Sequence, residues 1–267
     1  MNSTSYLLAG RASELERLRL QSIVWEPSAR RLLHAIGDGS GMRAVDVGCG
    51  VIGWLRVLSE WVGPDGEVVG TDIDDAMLAD AGTFVASEAL DNVSLRKDDL
   101  FTTGLEASSF DLVHARAEVA PLGRGHEQLE TYLRLVRPGG TVVLEDPDFD
   151  SLRYNPPAPA LGKVVALLRE GFRRNGGDLD AGRGHLDLFR GFGIEASIRA
   201  EIEALPPGHP YLRLPLQMFV GLRPRLEAFL EAAELDRLEK EAETELQEPG
   251  RWGTSFILLQ AWGRRPA

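Results

Sequence analysis

The sequence predicts an α/β protein on a doubly wound, mostly parallel sheet of seven strands, and two observations carry that expectation. From Arg43 onward, short apolar runs alternate with longer segments of helical periodicity, the pattern of strands joined by crossover helices. The first run leads straight into Gly48, Gly50 and Gly53, glycines that let a strand turn tightly into a helix. A chain of 267 residues holds one such domain with a modest insertion.

The elements follow in order. Ser13 and Glu16 have the spacing of a capping box, and Leu15, Leu18, Ser22 and Trp25 fall on one helical face, so a helix is expected over 13–25. Pro27 should end it or open a second helix over 28–36, which stops at Gly37. Strands are expected at 44–47, 68–71, 93–96, 112–115 and 141–144. Helices are then expected over 161–172 and 186–192, and Ile194, Ala196, Ile198 and Ala200 alternate with polar residues as a half-exposed strand does. Residues 206–215 read as a loop, 218–248 as a charged helix interrupted at Pro224, and 256–262 as the last strand. The expected domains are an N-terminal helical cap or lid (1–40), a core (41–202 with 251–267), and a helical insertion (203–250) that covers the site or makes a homo-oligomer contact. The N-terminal helices are the other candidate for such a contact.

Charge narrows the partners. With 41 acidic against 29 basic residues and a net charge of −12, the surface repels phosphate backbones, so no nucleic-acid partner is expected. No apolar stretch approaches the roughly 20 residues that a membrane helix needs, and no basic segment precedes an apolar run at the start. No membrane partner and a cytoplasmic location are therefore expected. The single cysteine, Cys49, excludes an internal disulfide framework and a multi-cysteine zinc site.

The most informative segment is Val45-Asp46-Val47-Gly48-Cys49-Gly50-Val51-Ile52-Gly53. Behind it a helix N-terminus offers free N–H groups, and Asp72 follows the next strand, where a carboxylate can accept both hydroxyls of a ribose. Gly48-x-Gly50-x-x-Gly53 with Asp72 also fits a dinucleotide fingerprint. Asp46 argues against it, because a carboxylate there repels a pyrophosphate and attracts an ammonium group.

Read as Asp46-x-Gly48-x-Gly50, the segment resembles motif I of the class I S-adenosylmethionine-dependent methyltransferases. Ser109-Phe110-Asp111-Leu112-Val113 resembles that family's fourth strand, and Arg137-Pro138-Gly139-Gly140 the turn before its fifth. Many members have glycine at the position of Ile52, whereas here it comes one residue later, at Gly53. The ending Trp262-Gly263-Arg264-Arg265-Pro266 resembles the small-molecule branch that acts on quinones, sterols and natural products.

The resemblance implies a Rossmann-like fold, S-adenosyl-L-methionine as cofactor, and in-line methyl transfer to an O, N or C atom of a small organic acceptor. The alternatives are a binding protein of the same fold that transfers nothing and an NAD(P)-dependent oxidoreductase. It also implies roles for individual residues. Gly48, Cys49 and Gly50 pass under the methionine portion and Asp46 lies near its ammonium. Asp72 holds the ribose, and Ile73 packs on the adenine. Asp99 and Leu100 meet the adenine edge, with Asp98 as the alternative to Asp99, and Arg116 lies near the reacting methyl. Tyr6, Arg17 and Gln21 reach back to the methionine end from an N-terminal lid.

Methyl transfer needs alignment above all, and a base only if the acceptor must first lose a proton. The candidate bases are His126, His114 and His185, with Glu145 and Asp146 beside them. Glu145-Asp146-Pro147-Asp148-Phe149-Asp150 has the oxygen density that suits Mg²⁺, but His114-Ala115-Arg116 stands where a metal-dependent member has an acid. The expectation is therefore an acidic loop at the acceptor mouth and no metal. Tyr154, Phe172, Phe189, Tyr211 and Phe219 are expected to line a cover over the acceptor.

Overall fold

In the computed structural model the described residues are 12–267, with side chains from residue 16 on, so Tyr6 and the side chain of Ser13 lie outside the described residues. The elements run α1 (Ala12–Ile36), β1 (Arg43–Val47), α2 (Leu55–Val62), β2 (Glu67–Asp72), α3 (Asp75–Ser87), β3 (Val93–Lys97) and β4 (Phe110–Arg116). Then come α4 (Val119–Leu122), α5 (Gly125–Leu135), β5 (Val136–Asp148), β6 (Arg153–Asn155), α6 (Pro159–Arg174) and α7 (His185–Gly191). The last third holds β7 (Ala196–Glu201), β8 (Ala204–Leu205), α8 (Leu214–Leu226), α9 (Ala232–Leu246), β9 (Trp252–Thr254) and β10 (Ile257–Arg264).

Seven strands form the main sheet in the order β3-β2-β1-β4-β5-β10-β7. All neighbours are parallel except that β10 runs antiparallel to β5 and to β7. The strand order reverses between β1 and β4, and a ligand crevice opens at such a switch point, beyond the carboxyl ends of the strands. Alternation along the strands sorts their side chains onto two faces. Val45, Val47, Val113 and Ala115 share a buried cluster with Leu129 of α5 and Phe189 of α7. Ala44, Leu112 and Val143 join Leu32 of α1 and Leu55 and Leu58 of α2 on the other face.

A third cluster lies to one side of the sheet. In it Leu161, Val164 and Leu168 of α6 pack with Phe219 and Leu222 of α8, Leu235 of α9, and Trp25, Phe149 and Phe256. Each of these large apolar side chains contributes about 1.5–3 kcal/mol by leaving water, so α6, α8 and α9 form a cover with its own core. Phe189 departs from the expected cover, because it packs beneath the sheet beside Gly263.

Four local expectations are corrected. α1 runs unbroken through Pro27; a proline removes only its own N–H from the ladder, and the Ser28 hydroxyl donates to the Trp25 carbonyl at 2.7 Å beside it. Pro224 likewise lies inside α8, and the break before α9 comes later, at 227–231. The Arg137–Gly140 turn is taken up within β5 as an irregularity of its pairing with β4. A second sheet, β6-β9-β8, is made of strands of three, three and two residues, too short to show a period of two.

Candidate active site

One continuous cavity opens at the switch point. Gln21, Asp46, Gly48, Cys49, Gly50, Asp72, Ile73, Asp99, Leu100 and Arg116 all line it, as does Arg17. Of the expected cofactor residues only Tyr6 is missing, and it lies outside the described residues.

The glycine turn explains its own composition. Gly48, Gly50 and Gly53 have φ of +66°, +55° and +48°, the left-handed region that costs other residues about 1–2 kcal/mol. A Cβ on Gly53 would come within 2.3 Å of Asp46 Oδ2 and 2.5 Å of the Cys49 carbonyl oxygen. The displaced third glycine is therefore required where it stands. A Cβ on Gly50 would meet nothing within 4 Å and would protrude into the cavity, so the bare backbone leaves a cradle there.

Asp72 ties this turn to the next strand. Its Oδ2 accepts from the Gly50 N–H at 3.0 Å and its Oδ1 from the Asp74 N–H at 2.9 Å. Burial pushes its pKa up, and the two N–H groups oppose that. Ile73 holds a half-exposed apolar side chain against the cavity. Asp98 and Asp99 divide by hydrogen bonding. Asp98 accepts from the Gly104 N–H at 2.9 Å and from the Thr103 hydroxyl, both within its own turn. Among the described residues Asp99 accepts from the Phe101 N–H alone, through Oδ1 at 2.9 Å, which leaves Oδ2 for a ligand.

Asp46 is used differently from the expectation. Its Oδ2 accepts from the Trp54 N–H at the start of α2 at 2.7 Å. Its Oδ1 accepts from His114 Nδ1 at 2.7 Å. Asp46 is only 1% exposed and is held between the turn and His114, so it braces the turn from behind while touching the cavity edge. The Cys49 thiol also turns into the core; burial and then Asp46 push its pKa well up, and only its backbone serves the site.

The three histidines are corrected as bases, since none lines the cavity. His114 lies on the α2 face of the sheet, stacked on Trp54 with ring centroids 3.8 Å apart, and its Nε2 faces Glu145 Oε2 at 3.1 Å. Burial alone would lower its pKa; Asp46 and Glu145 outweigh that and raise it. His126 is exposed on α5 with its ring against Phe192. His185 is buried, 3.1 Å from Asp146 Oδ2 but out of hydrogen-bonding alignment.

The acidic segment is also consumed by the protein. Glu145 accepts from His114 and Gln260, Asp146 from the Ala120 N–H, and Asp148 and Asp150 pair with Arg183. Only Pro147 and Phe149 of that run reach the cavity, so the expected acidic mouth is apolar. Among the described residues no cluster of His, Cys, Asp or Glu has metal-holding geometry.

Sequence reasoning missed two features. Glu118, at the turn after β4, lines the cavity against Gly48; in sequence it is one acid among many. The other is most of the apolar half of the cavity: of the expected aromatics only Phe172 lines it, while Tyr154, Tyr211 and Phe219 do not, and Leu18, Phe149, Leu214, Met218 and Phe256 complete the wall from other parts of the chain. Arg116 stands between the halves and donates to the Ser22 hydroxyl of α1 at 3.1 Å.

This sheet order, with a glycine turn and successive strand-end acids at the switch point, defines a class I methyltransferase fold. A family model described as a methyltransferase domain matches residues 38–181, and the chain belongs to that family, whose methyl donor is S-adenosylmethionine. Nocamycin O-methyltransferase of Saccharothrix syringae is 37% identical over 123 residues, covering 46% of this chain and 44% of that protein. Demethylmenaquinone methyltransferase of Lactococcus lactis is 30% identical over 152 residues, covering 51% and 58%. The chain thus spans about half the length of the curated relatives it matches. A SAM-dependent methyltransferase from Aquifex aeolicus superposes with a TM-score of 0.56 at 20% identity, covering 72% of this chain and 92% of that one; a likeness at that identity shows the fold.

Proposed function

We propose that this chain transfers the methyl group of S-adenosylmethionine to an O, N or C atom of a small, largely apolar organic acceptor, of the kind made in secondary metabolism. The observation that carries the proposal is the single cavity joining the glycine turn, Asp72 and Asp99 to an apolar half walled by Phe149, Phe172, Met218 and Phe256. A pocket that is mostly apolar with a few fixed polar groups suits a flat or greasy molecule. The named relatives act in the same direction, since nocamycin and demethylmenaquinone stand in their names.

The residues fit the donor. The Gly50 cradle is open, Asp72 presents a buried carboxylate for the ribose, Ile73 offers an apolar face, and Asp99 keeps one oxygen for the adenine edge. The donor, when bound, supplies a methyl group on a positively charged sulfur with a neutral thioether as leaving group. The chain contributes alignment and dryness. Leu18 and Gln21 of α1 and Leu214 and Met218 of α8 close over the cavity, and excluding water there strengthens each polar contact. With no described histidine in the wall, holding nucleophile and methyl in line is the main service, worth several kcal/mol.

Incubation with radiolabelled S-adenosylmethionine and a panel of phenols, quinols and enolic ketones tests the proposal. Label should pass to at least one apolar acceptor, with S-adenosylhomocysteine as coproduct. Tight homocysteine-product binding with no transfer to any member would favour a binding protein of the same fold, and binding of NAD in its place would overturn the proposal.

A further inference from the structure

Asp46, the acid that the motif would direct to the cofactor's ammonium group, is engaged by Trp54 and His114. Another carboxylate stands in front of it. Glu118 lines the cavity with its carboxylate over the glycine turn; a Cβ on Gly48 would fall within 2.0 Å of Glu118 Oε1. The backbone is bent to put it there. Ala117 has φ +57°, a conformation that costs a non-glycine residue about 1–2 kcal/mol, and the Ala117 N–H is held by the Glu145 carbonyl at 2.8 Å. The Glu118 carbonyl is fixed in turn by the Gln128 side chain at 3.1 Å.

Among the described residues the Glu118 carboxylate makes no hydrogen bond and no ion pair, in contrast to Asp46, Asp72, Asp98, Asp99, Glu145 and Asp146 around it. Its chemical surroundings call for a cation. Asp46 faces it from β1, Cys49 from the glycine turn, Asp72 from β2, Tyr132 from α5 and Asp146 from β5. A half-buried carboxylate without a partner is unfavourable unless a ligand supplies one.

We propose that Glu118 is the residue that receives the α-ammonium of the donor's methionine moiety, as a binding residue that acts through a direct charged hydrogen bond. This rests on the reading of the cavity as an S-adenosylmethionine site. Its place over Gly48, at the turn expected to pass beneath the methionine portion, separates this role from that of a base, which would have to face the apolar half.

A proton accompanies the contact. Burial, and then Asp72, Asp146 and Asp46, push the Glu118 pKa well up. Meeting an ammonium group requires the ionised form. Binding therefore releases a proton below the raised pKa, and affinity rises with pH until Glu118 ionises in the free protein.

The test compares three ligands on wild type and Glu118→Gln by titration calorimetry: S-adenosylhomocysteine, its analogue with the α-ammonium replaced by hydrogen, and 5′-methylthioadenosine, which lacks the amino acid. Wild type should prefer S-adenosylhomocysteine over the deaminated analogue by roughly 30-fold or more, the scale of losing one partner of a buried charge pair. E118Q should erase that preference and leave 5′-methylthioadenosine binding unchanged. Wild type should also release a proton with S-adenosylhomocysteine below the raised Glu118 pKa, read across a pH series in two buffers of different ionisation enthalpy, and none with 5′-methylthioadenosine. An unchanged preference in E118Q, an equal loss for all three ligands, or no proton release in wild type would each overturn the assignment. If wild type binds none of the three, the cofactor reading itself fails.

Discussion

His114 donates from Nδ1 to Asp46 Oδ1 at 2.7 Å across the two central strands, where the register sets these residues directly opposite each other. The same ring faces Glu145 on β5, and Gln260 on β10 donates to Glu145 in turn. Four adjacent strands are thus joined by one buried chain of polar side chains, behind the glycine turn, with one imidazole between two carboxylates. Removing the ring takes from Asp46 and Glu145 the partner they share.

His114→Gln is expected to destabilise the protein by about 3–5 kcal/mol, the usual result of breaking a buried ion pair on one side. The pH dependence follows from the shifts. A histidine whose folded pKa is raised contributes in full below its ordinary 6.5 and loses that contribution as pH rises through the folded value. Glu145 is held below its ordinary 4.5: burial opposes this, and His114 overcomes it. It contributes above 4.5 and loses that contribution as pH falls through its folded value. Urea unfolding across pH should therefore give a difference curve, wild type minus variant, that is highest between 4.5 and 6.5 and falls at higher pH. A flat curve would remove the charge from this account.

Gly53→Ala should cost at least about 2 kcal/mol, the left-handed backbone penalty plus a collision, because the new Cβ meets Asp46 Oδ2 at 2.3 Å. Relief of that contact must move Asp46, so the turn shifts with it. Fluorescence titration should show weaker S-adenosylhomocysteine binding, and wild-type affinity would mean that the turn relaxes without Asp46.

Asp98 and Asp99 should separate cleanly. Asp98→Ala removes acceptors for Gly104 and Thr103 and should lower stability by about 1–3 kcal/mol. Asp99→Ala removes one acceptor, that of the Phe101 N–H, and should cost about 1 kcal/mol or less while weakening S-adenosylhomocysteine about tenfold, the loss of one hydrogen bond to a ligand. Reversed outcomes would return Asp98 to the adenine edge.

Tyr211→Phe tests how α1 is attached to the cover. The Trp25 indole N–H donates to the Tyr211 hydroxyl at 3.0 Å, with both residues buried. The variant leaves that N–H unpaired at a cost of about 1–3 kcal/mol. A change under half a kilocalorie in chemical denaturation would show that the indole finds another acceptor.

Much of the sheet was legible because its strands are buried on both faces and read as continuous apolar runs. The glycine turn and the acids Asp72 and Asp99 were legible because strand ends at a switch point have few alternative uses. Asp46 was legible as special but its partner was not, since His114 lies 68 residues away and only strand register sets them opposite. Whether His126 and His185 reached the cavity depended on how α5 and α7 dock. Glu118 depends on the left-handed turn at Ala117, a conformation that alanine does not announce. The apolar half was hidden for a different reason, being assembled from helices whose docking no local pattern encodes.

The short sheet β6-β9-β8 stands where the chain passes between the main sheet and the helical cover. Arg153–Asn155 precedes α6, Ala204–Leu205 precedes α8, and Trp252–Thr254 follows α9. Tyr154, partnered with Gly253 in that sheet, also donates its hydroxyl to the Leu212 carbonyl at 2.9 Å. Gathering three crossings side by side makes the cover a replaceable part. Substitutions in α6, α8 and α9 can reshape the chamber while the strand-end acids keep their positions, so in a lineage of such chains the choice of acceptor is free to drift faster than the choice of donor.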